Sequence, residues 1–328
     1  MARFMQRLGL ILACFTSSQA FLSSGTVYPL RQISVSASFR LRGGAGTASL
    51  SMTDGVKRVL VTGANKGIGL ATVEKLLCDY PECHVILGSR SAERGAAAVE
   101  QLLKKRPDAH GRLEMLLIDT SDDKSVIAAA ATVRDKFGAD STPLYGIINN
   151  AGIGFGRSLV DTLQTNTYGP YRVNNAFLPL VQPEGGRIVQ IASASGPMFV
   201  AGVSGEWKRV FTDPNVQWEE IEKTMQEALT GSFVGEAYGF SKACLNAYTQ
   251  WFAKQHPALI INACTPGFIA TDLTKGMGAT NSPEIGAVVP VALVMGAPQG
   301  PGFYFGSDGV RSPLDRYRGP GDPPYVGR

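Results

Sequence analysis

The sequence predicts an α/β protein in which one parallel sheet is covered by helices on both faces. From Val56 onward, short apolar runs alternate with longer stretches of helical character, as they do in repeated strand–helix units. The first apolar run, residues 59–61, carries no charge, which is typical of a strand buried on both faces. Gly63, Gly67 and Gly69 follow it and lead into a helix, so the chain turns tightly where the strand ends. In such sheets a ligand binds beyond the carboxyl ends of the strands, and we expect the functional residues there.

The remaining elements follow in order from apolar runs, capping residues and helix stops. Predicted strands cover residues 84–87, 113–118, 144–148, 187–192, 259–263 and 302–305. Predicted helices cover residues 68–77, 92–104, 122–137, 159–178, 236–255 and 283–294. Ser91 and Ser121 stand where the second and third of these helices begin, and Gly138 follows the end of the third.

The first 51 residues differ in composition from the rest of the chain. Residues 1–50 hold five arginines and no acidic residue, and removing those five charges from the formal net charge of +4 leaves −1. The basic balance therefore belongs to this segment, and it is no argument for a nucleic-acid partner.

This N-terminal segment has the features of a targeting leader. Its apolar run, residues 8–15, is far shorter than the about 20 residues that span a bilayer, which argues against stable membrane insertion. Small residues follow, as at the end of a signal peptide that is cleaved after Ala20. The acid-free, Ser- and Arg-rich segment 21–51 then resembles the transit peptide of algae with secondary plastids. We expect a signal peptide over 1–20, a transit-like segment after it and a plastid location; secretion, a mitochondrial leader and a disordered tail are the alternatives.

Cysteine and histidine usage argues against a metal site and against a disulfide framework. The chain has five cysteines and three histidines, without a C-x-x-C pair and without histidines at metal-ligand spacing. We therefore expect no bound metal.

Charged residues at two strand ends point to a particular dinucleotide. An NAD site usually has an acid after the second strand for the ribose 2′-hydroxyl, but Arg90 stands there and Lys66 lies in the glycine turn. Positive charge suits a 2′-phosphate, so the pattern favours NADP(H); two solvated basic side chains are the alternative. Asp119, after the third strand, is predicted either to accept a hydrogen bond from the adenine amino group or to serve a turn.

A tyrosine, a lysine and a serine form the candidate catalytic group. Tyr238 and Lys242 stand four residues apart, on one face of a predicted helix. A phenol has a pKa of about 10, and a neighbouring ammonium lowers that pKa by favouring the phenolate. Tyr238 is thus predicted to exchange a proton with a carbonyl or alcohol oxygen near neutral pH. Ser193, or its rival Ser195, is predicted to hydrogen-bond the same oxygen; a surface Tyr–Lys pair and a turn serine are the alternative interpretations.

The motifs occur in an order that is typical of one enzyme family. They are Thr62-Gly63-x-x-x-Gly67-x-Gly69, Asn149-Asn150-Ala151-Gly152, Asn166, Ser193, Tyr238-x-x-x-Lys242 and Pro266-Gly267. Together they resemble the short-chain dehydrogenase/reductase family over about residues 56–306. The resemblance implies one Rossmann-type, doubly wound parallel-sheet domain, here expected over residues 52–306, that transfers a hydride with NADP(H).

The resemblance also implies roles for single residues. Tyr238 would donate a proton to the carbonyl in the reducing direction, and Ser193 would orient the substrate oxygen. Lys242 would bind the nicotinamide ribose and lower the Tyr238 pKa. Asn166 would hold a water of the proton relay, with a solvent-facing helix asparagine as the alternative. Besides Tyr238 and Lys242, the implied cofactor-binding residues lie in the glycine turn and at strand ends: Gly63, Asn65, Lys66, Gly67, Ile68, Gly69, Arg90, Asp119, Asn150, Ala151, Gly152, Pro266, Gly267 and Thr271.

Within the family, the glycine turn and residues 261–267 resemble the branch of NADPH-dependent carbonyl reductases. In this chain 45 positions separate Ser193 from Tyr238, far more than in most members, which indicates an insertion over residues 197–235. In this branch such an insertion covers the surface that other members use to oligomerise, which implies a monomer. Asp213-Pro214 predicts the start of a helix over residues 216–229 within it.

A small-molecule carbonyl compound is the expected substrate. The predicted walls of the site are rich in apolar side chains, which favours an apolar or aromatic ketone, aldehyde or quinone, although some of these residues are expected in the core. They are Phe155, Met198, Phe199, Trp207, Phe211, Phe233, Phe268 and Met277.

Two other functions and one unassigned segment remain. A light-dependent protochlorophyllide reductase-like enzyme is indicated by the leader and the long insertion, and a non-catalytic NADP(H)-binding redox sensor is the other alternative. The Gly-, Pro- and Arg-rich tail, residues 307–328, has no family counterpart and is predicted to be disordered or to wrap around the surface.

Overall fold

The computed structural model describes residues 55–138, 141–231, 233, 235–298 and 300–327. The predicted signal peptide and transit-like segment, residues 1–51, lie outside this part of the chain. The residues from Val56 onward form one compact unit. Among the described residues, no helix combines the length and the apolar character that a membrane span requires.

Seven parallel strands form the sheet in the described part of the chain. They are β1 (Lys57–Val61), β2 (Cys83–Ser89), β3 (Leu113–Leu117), β4 (Leu144–Asn149), β5 (Arg187–Ile191), β6 (Ile260–Cys264) and β7 (Tyr304–Phe305). Their order is β3-β2-β1-β4-β5-β6-β7, and all neighbours pair in parallel. The predicted Rossmann-type, doubly wound sheet is confirmed, and its switch point, where such sheets bind ligands, lies between β1 and β4.

Helices cover both faces of this sheet. The described α-helices are α1 (Gly67–Asp79), α2 (Ala92–Lys105), α3 (Asp123–Phe137), α4 (Leu159–Asn166), α5 (Tyr168–Phe177), α6 (Ser195–Ala201), α7 (Gly205–Thr212), α8 (Trp218–Thr230), α9 (Ala237–Gln255) and α10 (Pro283–Met295). Leu60 of β1 belongs to the core shared with α3, α4, α5 and α9, whereas Val59 and Val61 belong to the core shared with α1, α2 and α10. The two cores follow from the two-residue period of a strand, which sends neighbouring side chains to opposite faces.

The single long helix predicted over residues 159–178 is wrong, because the chain breaks at Thr167 into α4 and α5. Pro170 has no N–H to donate to the carbonyl of Asn166, so an unbroken helix would lose that hydrogen bond. The Thr167 hydroxyl instead donates to the carbonyl oxygen of Ser241 at 3.0 Å, which ties the break to α9.

Helix caps agree with the prediction at one helix and differ at another. The Ser91 side chain accepts a hydrogen bond from the N–H of Arg94 at 3.3 Å, so it caps α2 as expected. Ser121 does not cap α3, because its hydroxyl donates to Asp119 at 2.7 Å. The carboxylate of Asp122 takes the cap position and accepts from the N–H of Lys124 at 3.1 Å.

Two complete helices, α7 and α8, lie in the described part of the insertion, and the helix start predicted at Asp213-Pro214 is wrong. Asp213 ends α7, and its carboxylate accepts from the N–H of Asn215 at 2.8 Å, which forms a turn. Helix α8 begins only at Trp218, where Gln217 and Glu220 form a reciprocal capping box.

Aromatic side chains fix the insertion to the rest of the domain. Trp218 of α8 stacks on Tyr171 of α5 with ring centroids 4.4 Å apart, and it meets Tyr248 of α9 edge-on at 5.5 Å. Trp207 of α7 stacks on Phe240 of α9 at 5.3 Å. The insertion therefore covers α5 and α9 with a continuous apolar contact.

The C-terminal tail folds back along the edge of the sheet. Arg311 pairs antiparallel with Phe305 of β7, and the N–H of Ser312 donates to the carbonyl of Tyr304 at 2.8 Å. The Arg318 guanidinium is nearly buried and binds both carboxylate oxygens of Asp308, at 3.0 and 2.8 Å. The tail thus forms an ordered cover over β7.

Candidate active site

The glycine turn after β1 leaves an open cradle at the start of α1. Gly63 and Gly67 have φ of +62° and +57°, the left-handed region that disfavours residues with a Cβ. A Cβ at Gly69 would lie 2.7 Å from the carbonyl oxygen of Gly63, so a side chain is excluded there. A Cβ at Gly67 would meet only Thr271, at 3.4 Å. The Lys66 side chain does not cap α1, so the first N–H groups of the helix face this cradle.

Asn150 joins the end of β4 to this turn. Its side-chain N–H group donates to the carbonyls of Thr62 and Gly63 at 2.9 and 3.1 Å. The Thr62 hydroxyl accepts in return from the N–H groups of Asn150 and Ala151, at 3.1 Å each. These four bonds lock the backbone at the switch point of the sheet. Asn65 and Ile68 are half-buried in the same turn, and Ile68 lies next to Gly286 of α10.

A loop after β6 lies over the cradle. Gly267, with φ of +93°, starts this loop next to Ser307, and its N–H donates to Thr265 at 3.2 Å. Further along, Thr271 faces Gly67. The next residue, Asp272, pairs with Lys66 at 2.5 Å, a partner that the sequence analysis missed. Both side chains are more than 60% exposed, so the pair adds little stability and leaves Lys66 available to another anion.

The predicted adenine end lies at neighbouring strands. Arg90 follows β2 directly and is exposed. Asp119 lies two residues after β3, and the N–H of the intervening Ile118 donates to Ser89 at 2.9 Å. One carboxylate oxygen of Asp119 accepts from the N–H and the hydroxyl of Ser121, which forms a turn; the contact with the adenine amino group stays a prediction.

The candidate catalytic group lies at the start of α9, beside the ends of β4 and β5. Tyr238 and Lys242 are 8% and 4% exposed, and the Lys242 ammonium lies 5.7 Å from the centre of the tyrosine ring. Ser193 is hydrogen-bonded to the Tyr238 side chain. The rival Ser195 donates its backbone N–H to the Ser193 hydroxyl at 3.2 Å and so supports it. The Tyr–Lys pair is therefore buried, which excludes the surface interpretation.

Burial sets the acidity of this pair. It raises the pKa of Tyr238 to about 12, and the hydrogen bond from Ser193 lowers it only in part. Burial lowers the pKa of Lys242 to about 8. The predicted lowering of the Tyr238 pKa is wrong, because loss of water and the Glu236 carboxylate disfavour the phenolate more than the Ser193 hydroxyl favours it. A phenol with this pKa is protonated at neutral pH and can donate.

Asn166 fixes the loop after β4 and connects it to α9. Its amide donates to the carbonyl of Ile153 at 3.0 Å and to the Ser241 hydroxyl at 3.1 Å, and its oxygen accepts from the N–H of Ile153 at 2.9 Å. The side chain is fully buried, so the solvent-facing alternative is wrong. A Cβ at Gly152 would lie 3.2 Å from the Asn166 oxygen and 3.8 Å from the Lys242 ammonium, so these groups line one space.

Glu236 is a further site residue that the sequence analysis missed. It precedes α9, and its carboxylate accepts from the N–H groups of Tyr238 and Gly239 at 2.8 and 2.5 Å. Burial raises the pKa of this carboxyl, although both N–H groups lower it. The prediction made Glu236 the first residue of this helix, and an acid at a helix start was the signal that could have identified this cap.

The chemistry of the cradle fits a dinucleotide. The space beside Gly67, the uncapped start of α1 and the exposed Arg90 together suit a pyrophosphate and a further phosphate. Among the residues that the structure describes, no three His, Cys, Asp or Glu side chains could share a metal ion.

Comparison with known proteins identifies the family. Residues 57–205 match the family model for short chain dehydrogenase. The chain belongs to the short-chain dehydrogenase/reductase family, in its carbonyl reductase branch, and is an oxidoreductase.

Three relatives illustrate this assignment. The chain is 32% identical to (+)-neomenthol dehydrogenase of Arabidopsis thaliana over 276 residues, which cover 72% of this chain and 90% of the relative. It is 32% identical to carbonyl reductase [NADPH] 1 of Homo sapiens over 284 residues, which cover 78% and 98%. The solved structure of menthone neomenthol reductase from Mentha piperita matches with a TM-score of 0.63 and 28% identity, over 77% of this chain and 99% of that one. The protochlorophyllide reductase-like and redox-sensor alternatives gain no support from these comparisons.

Proposed function

We propose that this enzyme reduces a carbonyl compound to an alcohol, with Tyr238 as the group that protonates the carbonyl oxygen. The cofactor is NADP(H), which supplies the hydride when bound. The observation that carries the proposal is the buried side chain of Tyr238, which is hydrogen-bonded to Ser193. Its pKa of about 12 means that the phenol is protonated at neutral pH. It lies beside Lys242 where the strands end, which is the position of the ligand in sheets of this type.

Ser193 and Tyr238 have different roles at the substrate oxygen. Because the two hydroxyl groups are hydrogen-bonded neighbours, Ser193 can hold the oxygen while Tyr238 transfers its proton to it. The phenolate that remains is stabilised by the Lys242 ammonium, which the carbonyl of Ile191 anchors through a 2.7 Å hydrogen bond. Because Lys242 has a pKa of about 8, it is charged near neutral pH and can also pass on a proton.

The cradle residues would hold the cofactor. Gly67 and the uncapped start of α1 would receive the pyrophosphate, because a helix start presents free N–H groups and the positive end of its dipole. Arg90 would pair with the 2′-phosphate, aided by Lys66 once that side chain leaves Asp272.

The substrate is proposed to be an apolar or aromatic ketone, aldehyde or quinone. The Phe155 ring lies 4.6 Å from that of Tyr238 and supplies an apolar wall at the reacting atoms. The side chain of Leu273, from the loop after β6, lies against Gly154. By contrast, Phe211 of the insertion is 1% exposed and belongs to the core. The names of the relatives, a neomenthol dehydrogenase and a carbonyl reductase, agree with a substrate of this class.

Loss of NADPH absorbance with a panel of quinones, aromatic aldehydes and cyclic ketones tests this function. Turnover should prefer NADPH over NADH and fall by about 10²–10⁴-fold in Tyr238→Phe, the range for loss of a general acid. The variant should still bind NADPH, since only one oxygen is removed. Equal turnover by the variant would overturn the role of Tyr238, and turnover with none of the panel would overturn the substrate class.

We also propose that the protein is a plastid protein and a monomer. The acid-free leader over residues 1–51 supports the first statement, and a fluorescent fusion of this segment that stays out of plastids would refute it. The stacking of Trp218 on Tyr171 supports the second, because it covers α5 with chain of the same molecule. Light scattering coupled to size exclusion would refute it by giving the mass of a dimer.

A further inference from the structure

A second cleft lies outside the residues of the active site. It has a volume of about 450 Å³ and lies between the second half of α9, the segment before β7 and the C-terminal tail. Its size is within the range of pockets that hold small molecules, about 300–1,000 Å³. The catalytic group and the glycine cradle contribute no side chain to its lining.

Arg311 supplies a positive charge to this cleft. Its guanidinium lies 3.8 Å over the centre of the Phe303 ring and 5.4 Å from that of Tyr325, so two aromatic rings hold it in place. Among the described residues, no carboxylate pairs with it. The nearby acid of the lining, Asp315, pairs with Arg316 at 2.9 Å instead. The five N–H donors of Arg311 therefore lack an anionic partner from this part of the chain.

Gln250 of α9 adds a second unused donor. Its side-chain nitrogen is buried and has no hydrogen-bond partner among the described residues. A buried donor without an acceptor is destabilising, so this position favours a ligand that brings an oxygen to it. Lys254, one turn further along the helix, also lines the cleft, and its ammonium donates to the neutral side chain of Asn215 at 2.7 Å.

Apart from Thr212 and Ser312, most of the remaining lining is apolar. Pro214 follows the end of α7, Pro257 follows the end of α9, and Leu314 belongs to the C-terminal tail. A ligand here needs an acceptor group at one end and an apolar body at the other.

We propose that this cleft binds a small organic carboxylate, whose charge pairs with Arg311 and whose apolar body lies against Phe303 and Leu314. The Gln250 amide donates to the second carboxylate oxygen. Binding here is separate from catalysis, because the cleft shares no residue with the reacting group. A carboxylate suits the planar fork of arginine, and the contacts with the Phe303 and Tyr325 rings keep that fork oriented.

Phenylacetate is the probe, titrated into the full-length protein saturated with NADPH and followed by calorimetry. One site should bind it, and Arg311→Met should weaken binding at least tenfold while keeping an apolar side chain against Phe303. Gln250→Leu should weaken binding severalfold and provides a second test if the first variant unfolds. Tyr238→Phe should bind phenylacetate as the unaltered protein does.

Several results would overturn the proposal. Among them are no binding at millimolar phenylacetate, unchanged affinity in both Arg311→Met and Gln250→Leu, and equal binding of the neutral analogue 2-phenylethanol. Inorganic phosphate should not displace the probe at equal concentration; if it does, the cleft is a general anion site and the organic carboxylate is excluded. Since binding is measured directly, a failure of the proposed carbonyl reduction would not change these outcomes.

Discussion

A pair of glycine substitutions tests the cradle most sharply. Gly67, at the start of α1, has φ of +57°, and a Cβ placed on it would meet only Thr271, at 3.4 Å. Gly111 has φ of +82°, with no atom within 4 Å of such a Cβ. Both positions therefore have room for a methyl group, and both penalise it through the left-handed backbone. That penalty is about 1–2 kcal/mol per residue.

The two variants should differ in cofactor binding and not in stability. Gly67→Ala and Gly111→Ala should each lower the free energy of unfolding by about 1–2 kcal/mol, measured by urea denaturation without NADPH. Only Gly67→Ala places its methyl group in the cradle, so its affinity for NADPH should fall at least about tenfold, or about 1.4 kcal/mol. Gly111→Ala should bind NADPH as the unaltered protein does.

Fluorescence titration with NADPH decides between the explanations. If Gly67→Ala keeps its affinity, the space beside Gly67 does not receive the cofactor and the cradle is wrongly assigned. If Gly111→Ala loses as much affinity as Gly67→Ala, the loss reflects stability alone, and the argument from the cradle fails.

Two further predictions concern charge. Burial lowers the pKa of Lys242 to about 8, so the ammonium loses its charge as pH rises through this value, and the affinity for NADPH should fall there. The affinity of Lys242→Met should show no such fall. An equally steep fall of affinity in this variant would contradict the assignment of Lys242 to the cofactor. Although burial raises the pKa of Asp308, hydrogen bonds from Arg318 and the backbone lower it overall. The ionised Asp308 therefore stabilises the fold above the ordinary aspartate pKa, and this contribution is lost as pH falls through the folded-state pKa. Asp308→Asn should lower the free energy of unfolding at neutral pH by about 3 kcal/mol and make that free energy depend less on acid pH. Urea unfolding at a series of pH values measures both effects. Urea midpoints equal to those of the unaltered protein would refute the stabilising role of the Asp308–Arg318 pair.

Local patterns explain how much of the fold could be predicted. The uncharged residues of β1 and the capping serine of α2 act through their immediate neighbours, so sequence alone identifies them. The break at Thr167 depends partly on Pro170, a local signal, and partly on the Ser241 carbonyl, which only the folded chain brings near.

The candidate site divides in the same way. Tyr238 and Lys242 are recognisable by spacing, but their pKa values depend on burial by the whole domain, which reversed the predicted direction for Tyr238. The ion pair between Lys66 and Asp272 joins residues 206 positions apart, and no local sequence pattern predicts it. The cleft at Arg311 likewise exists only because the tail returns to β7.

Transfer of deuterium from the cofactor tests the central claim most directly. With a ketone or aldehyde substrate found in the panel and NADPH deuterated at both C4 positions, mass spectrometry of the alcohol follows the hydride itself. The account predicts one deuterium on the carbinol carbon, with product formation that collapses in Tyr238→Phe. An alcohol without deuterium, or consumption of NADPH without formation of an alcohol, would contradict carbonyl reduction by this site.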